Sequence, residues 1–335
     1  MTFGSWMIRA ATGLLAVLLG MQESGIVKPE FAPRAAMVGG PAFTPGDHTF
    51  ELTFGGLRRR YIVHVPAGAD QPLPVMLALH GGGGSAAQFK ADNGLDPVAD
   101  AHHFLAVYPD GTGPLRTTLL TWDAGTNCCG WALEHKVDDV GFLTAVIEDL
   151  ARRTPIDRHR IYVTGHSNGA IMAYRFAAER ADLVAAIVPV SGAMAMANFH
   201  PSRPVAILDL HSVDDPRAPY DGGIGPPFPG TNSRVLHAPV KDGLEAWANN
   251  NGCRLSPDSV STQVGQGVNA GQTATRFVYR GCRPGGDIVH IRFTGVGHGW
   301  PGAPQRPMMR GILGRSTSLV DASEAAWDFA SRYMR

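Results

Sequence analysis

The chain has no net charge to offer a polyanion: 29 Lys and Arg balance 29 Asp and Glu among its 335 residues. With no basic field to recruit nucleic acid or an anionic membrane surface, roles of that kind are set aside. Long apolar runs are also missing. The stretch Ala10–Met21 falls short of the roughly 20 residues a membrane span needs, and Arg9 ahead of it gives the charge pattern of an export signal. No Cys follows it closely, so a lipid anchor on Cys is not supported. Histidines and carboxylates do not cluster at metal-ligand spacing, so no metal and no cofactor is expected. Cysteine is scarce, with Cys128, Cys129, Cys253 and Cys282 all late in the chain. An even count in an exported protein permits disulfides, and Cys253 with Cys282 is the first pairing to expect. The adjacent Cys128 and Cys129 are left as either a vicinal disulfide or two small buried thiols.

What is abundant points to a packed, loop-rich scaffold. Hydrophobic residues make up 44% of the chain, enough for a substantial core, and 41 Gly cluster after apolar runs, where strands end in tight loops. Residues 1–46 read as an export signal followed by a flexible tail rich in Pro, Gly and Ala, and 47–335 as a single domain. Within it, Arg60–Val65, Val75–Leu79, Phe104–Tyr108, Ile161–Thr164, Ala185–Pro189, Val205–Leu210 and Val289–Phe293 have strand character. Helical patterns lie between them, most clearly Asp138–Arg153 and Asn168–Arg180; the first opens on two carboxylates, which suit a helix N-terminus. Strands alternating with helices predict a mostly parallel central sheet with helices on both faces, an α/β fold. The segment Pro257–Thr273 has weak periodicity and reads either as a disulfide-closed excursion near the functional face or as a plain solvent loop.

The chemistry is concentrated in three loops. Gly165-His166-Ser167-Asn168-Gly169 follows the strand Ile161–Thr164 and opens a helix, the setting in which a sharp strand-to-helix turn lifts a Ser hydroxyl above the sheet. Upstream, His80-Gly81-Gly82-Gly83-Gly84 follows the strand Val75–Leu79. Its Gly82 N–H and the N–H of Asn168 are the candidate oxyanion donors. A phosphate cradle is the competing reading there, disfavoured because no Lys-Ser/Thr follows and the helix pattern is wrong for a dinucleotide site. A Ser nucleophile needs a base, and the base needs an acid to orient it. Asp214 and Asp215, beyond the strand Val205–Leu210, both qualify, with Asp215 preferred for the ordered loop that Pro216 favours. Among 13 His, His298 stands in Thr294-Gly295-Val296-Gly297-His298-Gly299-Trp300-Pro301, a tightly turned loop after the last strand, whereas His290 within that strand is expected to be structural. Trp122, Trp131 and Trp300 are candidates for an aromatic substrate wall, and equally for core packing.

These motifs resemble the esterase family that includes polyhydroxybutyrate depolymerase-like proteins, feruloyl esterases and acetylxylan esterases. The resemblance rests on His80-Gly81-Gly82, Trp122–Gly130 with its Cys pair, Val137–Phe142, Gly165–Gly169, Asp215-Pro216 with Pro219-Tyr220, and Gly297–Pro301. It implies an α/β-hydrolase fold, a triad on Ser167, Asp215 and His298, secretion, and activity on ester-linked polymers or their oligomers. It also supports Asp215 over Asp214. Ser212 departs from the family, which usually has Gly there. A separate polymer-binding domain is not evident, which favours soluble or plant cell-wall esters over solid polyester. A peptidase on the same fold and a non-catalytic binding protein are the alternatives.

Overall fold

The computed structural model describes residues 43–68, 72–126, 128–228, 231–305 and 307–335. The expected export signal and most of the tail therefore lie outside the described residues. In chain order the elements are β1 (Gly46–Phe54), β2 (Leu57–Val65), β3 (Leu73–Leu79), α1 (Ala86–Asn93), α2 (Leu95–His102), β4 (Leu105–Pro109), α3 (Gly130–Glu134), α4 (Asp139–Arg153), β5 (Ile156–His166), α5 (Asn168–Glu179), β6 (Ala186–Val190) and β7 (Ala206–Ser212). They continue with β8 (Gly223–Ile224), β9 (Leu236–His237), α6 (Val240–Asn251), β10 (Asp258–Val264), β11 (Thr273–Tyr279), β12 (Ile288–Thr294), α7 (Arg310–Leu313) and α8 (Ala322–Ala330).

Ten strands form one sheet in the order β1-β2-β4-β3-β5-β6-β7-β12-β11-β10. The run from β4 to β12 is parallel, and antiparallel strands flank it on both sides. Burial follows position in that order. In β3 every residue of LPVMLAL is buried, as a central parallel strand covered on both faces requires. Edge strand β1 alternates half-buried and exposed residues, and β10, at the other edge, is exposed throughout. Two apolar layers sandwich the sheet. Phe142, Val146, Leu150, Ile171 and Trp247 from α4, α5 and α6 pack on one face, and Phe89, Leu95, Val98, Ala326 and Phe329 from α1, α2 and α8 on the other. This is the α/β-hydrolase arrangement.

Two details differ from the sequence reading. About half of the segment Pro257–Thr273 is strand: it contributes β10, then returns through a loop into β11, extending the sheet by an antiparallel pair. Its Ser, Thr and Gln side chains hide it from a hydrophobic pattern because an exposed edge strand buries almost nothing. The Cys253–Cys282 disulfide forms as expected, but away from the functional face. It ties the end of α6 to the turn before β12, whereas the carboxyl end of that parallel strand leads to His298. The second detail concerns α4. Asp138 caps it, its carboxylate accepting from the Gly141 N–H at 2.7 Å. Asp139 is instead fully buried, paired with the buried Arg59 at 2.7 Å and accepting from the Asp123 N–H at 2.8 Å. It anchors the stretch after Trp122 rather than serving the helix dipole.

Candidate active site

Three loops at the carboxyl ends of β5, β7 and β12 converge on one point. At the end of β5, Ser167 has φ 55° and ψ −118°, a conformation that a non-glycine residue adopts only where its surroundings enforce it. The enforcement is steric as well as hydrogen-bonded. A side chain at Gly165 would strike the Gly169 carbonyl, and one at Gly169 would strike the Leu79 carbonyl. Strand, turn and helix are thus packed backbone to backbone, and the Ser167 N–H is held by the Val190 carbonyl at 2.9 Å.

Past the end of β12, His298 is pinned from both sides. Its N–H donates to the Leu313 carbonyl, and the preceding Gly297 N–H donates to that of Arg315 at 2.7 Å. His166 Nε2 donates to the His298 carbonyl at 2.6 Å. Burial, reinforced by the neighbouring His298, depresses His166 to about 3, so it serves as an uncharged strut. His298 Nε2 lies 2.9 Å from Ser167 Oγ, and His298 Nδ1 lies 2.7 Å from Asp215 Oδ2. With Nδ1–H donating to the carboxylate, Nε2 is the free base facing the hydroxyl.

Asp215 is buried, and burial pushes its carboxyl up. The His298 charge and hydrogen bond, the nearby His211 and the Ala218 N–H outweigh this and hold it down at about 2. Its Oδ1 accepts the N–H groups of Arg217 and Ala218 at 2.7 and 2.8 Å, a turn that its own side chain closes. Asp214 points elsewhere, its Oδ2 accepting the Gly295 N–H at 2.6 Å. Ser212 Oγ donates to the Val296 carbonyl at 2.6 Å and accepts the Asp214 N–H at 3.2 Å. The family departure at Ser212 thus ties the acid loop directly to the histidine loop.

The two candidate oxyanion donors differ from their neighbours in their hydrogen bonding. Gly83 and Gly84 donate to the carbonyls of Leu120 and Gly81, while the N–H groups of Gly82 and Asn168 meet no acceptor among the described residues. The Asn168 side chain is fully engaged with the Trp122 backbone, accepting from its N–H at 2.7 Å and donating to its carbonyl at 3.1 Å. That clamp fixes the first turn of α5 beneath the serine.

A cavity of about 430 Å³ opens above Ser167. Trp300 lines it, 5.2 Å edge-on to Phe89, with its indole N–H on Ser323 Oγ at 3.2 Å. Trp122 does not line it: the ring is fully buried, packs on His80 and donates to the His80 carbonyl at 2.9 Å, so its expected substrate contact is corrected to a structural one. Trp131 lies outside the cavity, stacked on His135 at 3.9 Å. Sequence reasoning missed much of the rest of the wall. Cys128 and Cys129 form a vicinal disulfide that lines the cavity, with Cys128 Sγ 3.4 Å from Asn168 Nδ2. Phe228, Arg217 and His237 come from the strap between β7 and α6, and Met308, Met309 and Leu313 from the segment that buttresses His298. Adjacency to Asp215-Pro216 was the one signal that pointed to Arg217.

Among the described residues, the grouping of possible metal ligands is Asp47, His64 and Asp96, remote from these loops in sequence. The Lys90 ammonium pairs with both of its carboxylates, so its charge is already compensated. No helix of the described residues is long and apolar enough to cross a membrane.

Several known proteins are similar to this chain. The family described as esterase PHB depolymerase matches residues 59–256, more than half of the chain, including Ser167 and Asp215 but ending before His298. The Nocardia uniformis subsp. tsuyamanensis protein NocK is 28% identical over 293 residues, covering 82% of this chain and 80% of its own. Feruloyl esterase C of Emericella nidulans is 26% identical over 273 residues, covering 81% and 83%. The bifunctional acetylxylan esterase/xylanase XynS20E of Neocallimastix patriciarum is 25% identical over 280 residues, 83% of this chain but 34% of that enzyme. The solved acetyl xylan esterase from Aspergillus awamori superposes with a TM-score of 0.48 at 16% identity, over 79% of this chain and 97% of its own. The chain belongs to the esterase PHB depolymerase family and is a carboxylic ester hydrolase.

Proposed function

We propose that Ser167, His298 and Asp215 are the catalytic triad of a secreted serine esterase acting on soluble esters or on oligomers of ester-linked polymers. What carries the reading is the unbroken hydrogen-bond chain from Asp215 through His298 to Ser167, at the floor of a cavity of drug-like size. His298 Nε2 takes the proton of Ser167 as Oγ attacks the ester carbonyl, and Asp215 stabilises the imidazolium. The amides of Gly82 and Asn168 hold the oxyanion, and the α5 N-terminus adds its dipole. The proton then passes from His298 to the departing alcohol. In the second half, water gives its proton to His298 as it attacks the acyl-enzyme, and collapse returns the free acid and the Ser167 hydroxyl.

The apolar wall around Trp300 and Phe228 suits an acyl or aryl group rather than a peptide backbone, which would need paired amide partners. Two disulfides fit export to an oxidising compartment, with residues 1–46 as signal and tail and 47–335 as the catalytic domain. Ser167→Ala is expected to remove p-nitrophenyl acetate hydrolysis by about 10⁴-fold or more while leaving the circular dichroism spectrum unchanged. A fluorophosphonate probe should label the wild type at Ser167 and not the variant. Turnover retained by a folded Ser167→Ala protein rejects the assignment.

A further inference from the structure

Phe89, Ile171, Phe228, Trp300, Met309 and Leu313 make the cavity over Ser167 largely apolar. Among the described residues one cation, Arg217, lines it. Its position is tied to the reacting groups: the Arg217 N–H donates to Asp215 Oδ1 at 2.7 Å, so the residue moves only if the acid loop moves. Its Nη2 donates to the Pro227 carbonyl at 3.0 Å, which holds the guanidinium at the strap between the cavity-lining Pro226 and Phe228. The Phe228 ring in turn covers Gly82 and Gly83, so the strap that seats Arg217 also reaches the Gly82 amide.

The charge is not spent among the described residues. Arg217 forms no ion pair among the described residues, and its bond to Pro227 leaves most of its fork of N–H donors open. His166 and His237 also line the cavity, and burial, reinforced by the charge of His298, holds them at about 3 and about 4, so neither adds charge at neutral pH. In an apolar surround a guanidinium and a carboxylate attract far more strongly than in water.

We propose that Arg217 is a specificity determinant that recognises a free carboxylate on the substrate, so that preferred esters carry an acid or alcohol portion ending in a carboxylate. The proposal rests on Ser167 being the nucleophile of this cavity. Two substrate pairs separate the two placements: p-nitrophenyl hydrogen glutarate against p-nitrophenyl pentanoate for the acyl side, and 3-acetoxybutanoate against its methyl ester for the alcohol side. The quantity read is the charged-to-neutral ratio of kcat/KM. In the wild type at least one ratio should favour the charged ester by about tenfold or more at low salt, shrinking as salt is added. Arg217→Gln should bring that ratio to about one through KM, and Arg217→Lys should restore part of it. A wild-type ratio near one for both pairs overturns the proposal, as does an Arg217→Gln variant that slows both members of a pair equally. Loss of turnover on every ester together with absence of fluorophosphonate labelling would instead strike at the nucleophile itself, so the two failures are distinguishable.

Discussion

Strands β7 and β12 carry two Asp–His pairs, and only one of them faces a substrate. Asp209 and His290 are partners in the parallel register of the two strands, while Asp215 and His298 lie in the loops just past their ends. In the inner pair His290 Nδ1 lies 2.8 Å from Asp209 Oδ2. Tyr174 OH donates to Asp209 Oδ1 at 2.9 Å, and Tyr220 OH lies 2.8 Å from His290 Nε2. The nitrogen that would act as a base is thus occupied by a phenol, and both residues are buried. In the outer pair the equivalent nitrogen meets Ser167 Oγ at the cavity. Residue type and separation are alike, but Asp209 Oδ2 and His290 Nδ1 lack hydrogen-bond geometry, and the inner imidazole ends on a phenol where the outer one ends on a hydroxyl at the cavity. The two layers also touch, because Tyr220 packs edge-on against His211, which lies 3.6 Å from Asp215.

Replacing each aspartate in turn tests that contrast most severely. Asp215→Asn should lower kcat by about 10³–10⁴-fold with the fold retained, because the imidazole loses its tautomer control and its counter-charge. Asp209→Asn should destabilise the protein by about 1–3 kcal/mol in urea titration while changing kcat by less than about tenfold. Equal losses of activity in the two variants would erase the distinction. Further along β12, at the end away from His298, Cys253→Ala with Cys282→Ala should cost about 3–4 kcal/mol of stability, by the loop-closure arithmetic for residues 29 apart, and leave ester turnover of the folded protein nearly unchanged. A large fall in kcat at constant fold would show that the two ends of the strand are coupled.

Acid titration sharpens the comparison further. Because the Asp215 carboxyl is depressed from 3.8 to about 2, the ionised form stabilises the folded state above pH 3.8, and that contribution is lost as pH falls toward 2. The unfolding free energy of the wild type from urea titration should therefore drop more steeply between pH 4 and pH 2 than that of Asp215→Asn, by on the order of 2 kcal/mol across the window. Parallel curves would show that Asp215 titrates normally. The smallest effect belongs to Asp214→Asn, which weakens one bond to the Gly295 N–H and should slow turnover only about two- to tenfold, through the histidine loop.

Much of this architecture was legible before any coordinates. Seven strands were predicted where strands occur, because the central parallel ones are continuous apolar runs, and α4 and α5 carry regular amphipathic or small-residue patterns. Strands β1, β10 and β11 are not in that reading for the opposite reason: β1 and β10 are sheet edges and β11 beside β10 is mostly half-buried, so polar residues are tolerated and pairing is set by backbone hydrogen bonds that leave little trace in composition. Trp122 stays open between wall and core in the sequence because a large aromatic ring reads the same in either place. What made it structural was the His80 carbonyl, 42 residues away in sequence.

The sequence by itself determined the α/β class, the turn that presents Ser167 and the loops that bear its expected partners, because strand periodicity, glycine spacing and motif order are local properties. Tertiary structure alone decided that Asp214 turns to the Gly295 N–H, that a second Asp–His pair meets two phenols, and that Arg217, Phe228 and the Cys128–Cys129 disulfide share one cavity. Those outcomes depend on loops from different strands meeting within hydrogen-bond distance. No local pattern encodes such meetings, because the partners are brought together only when the sheet assembles.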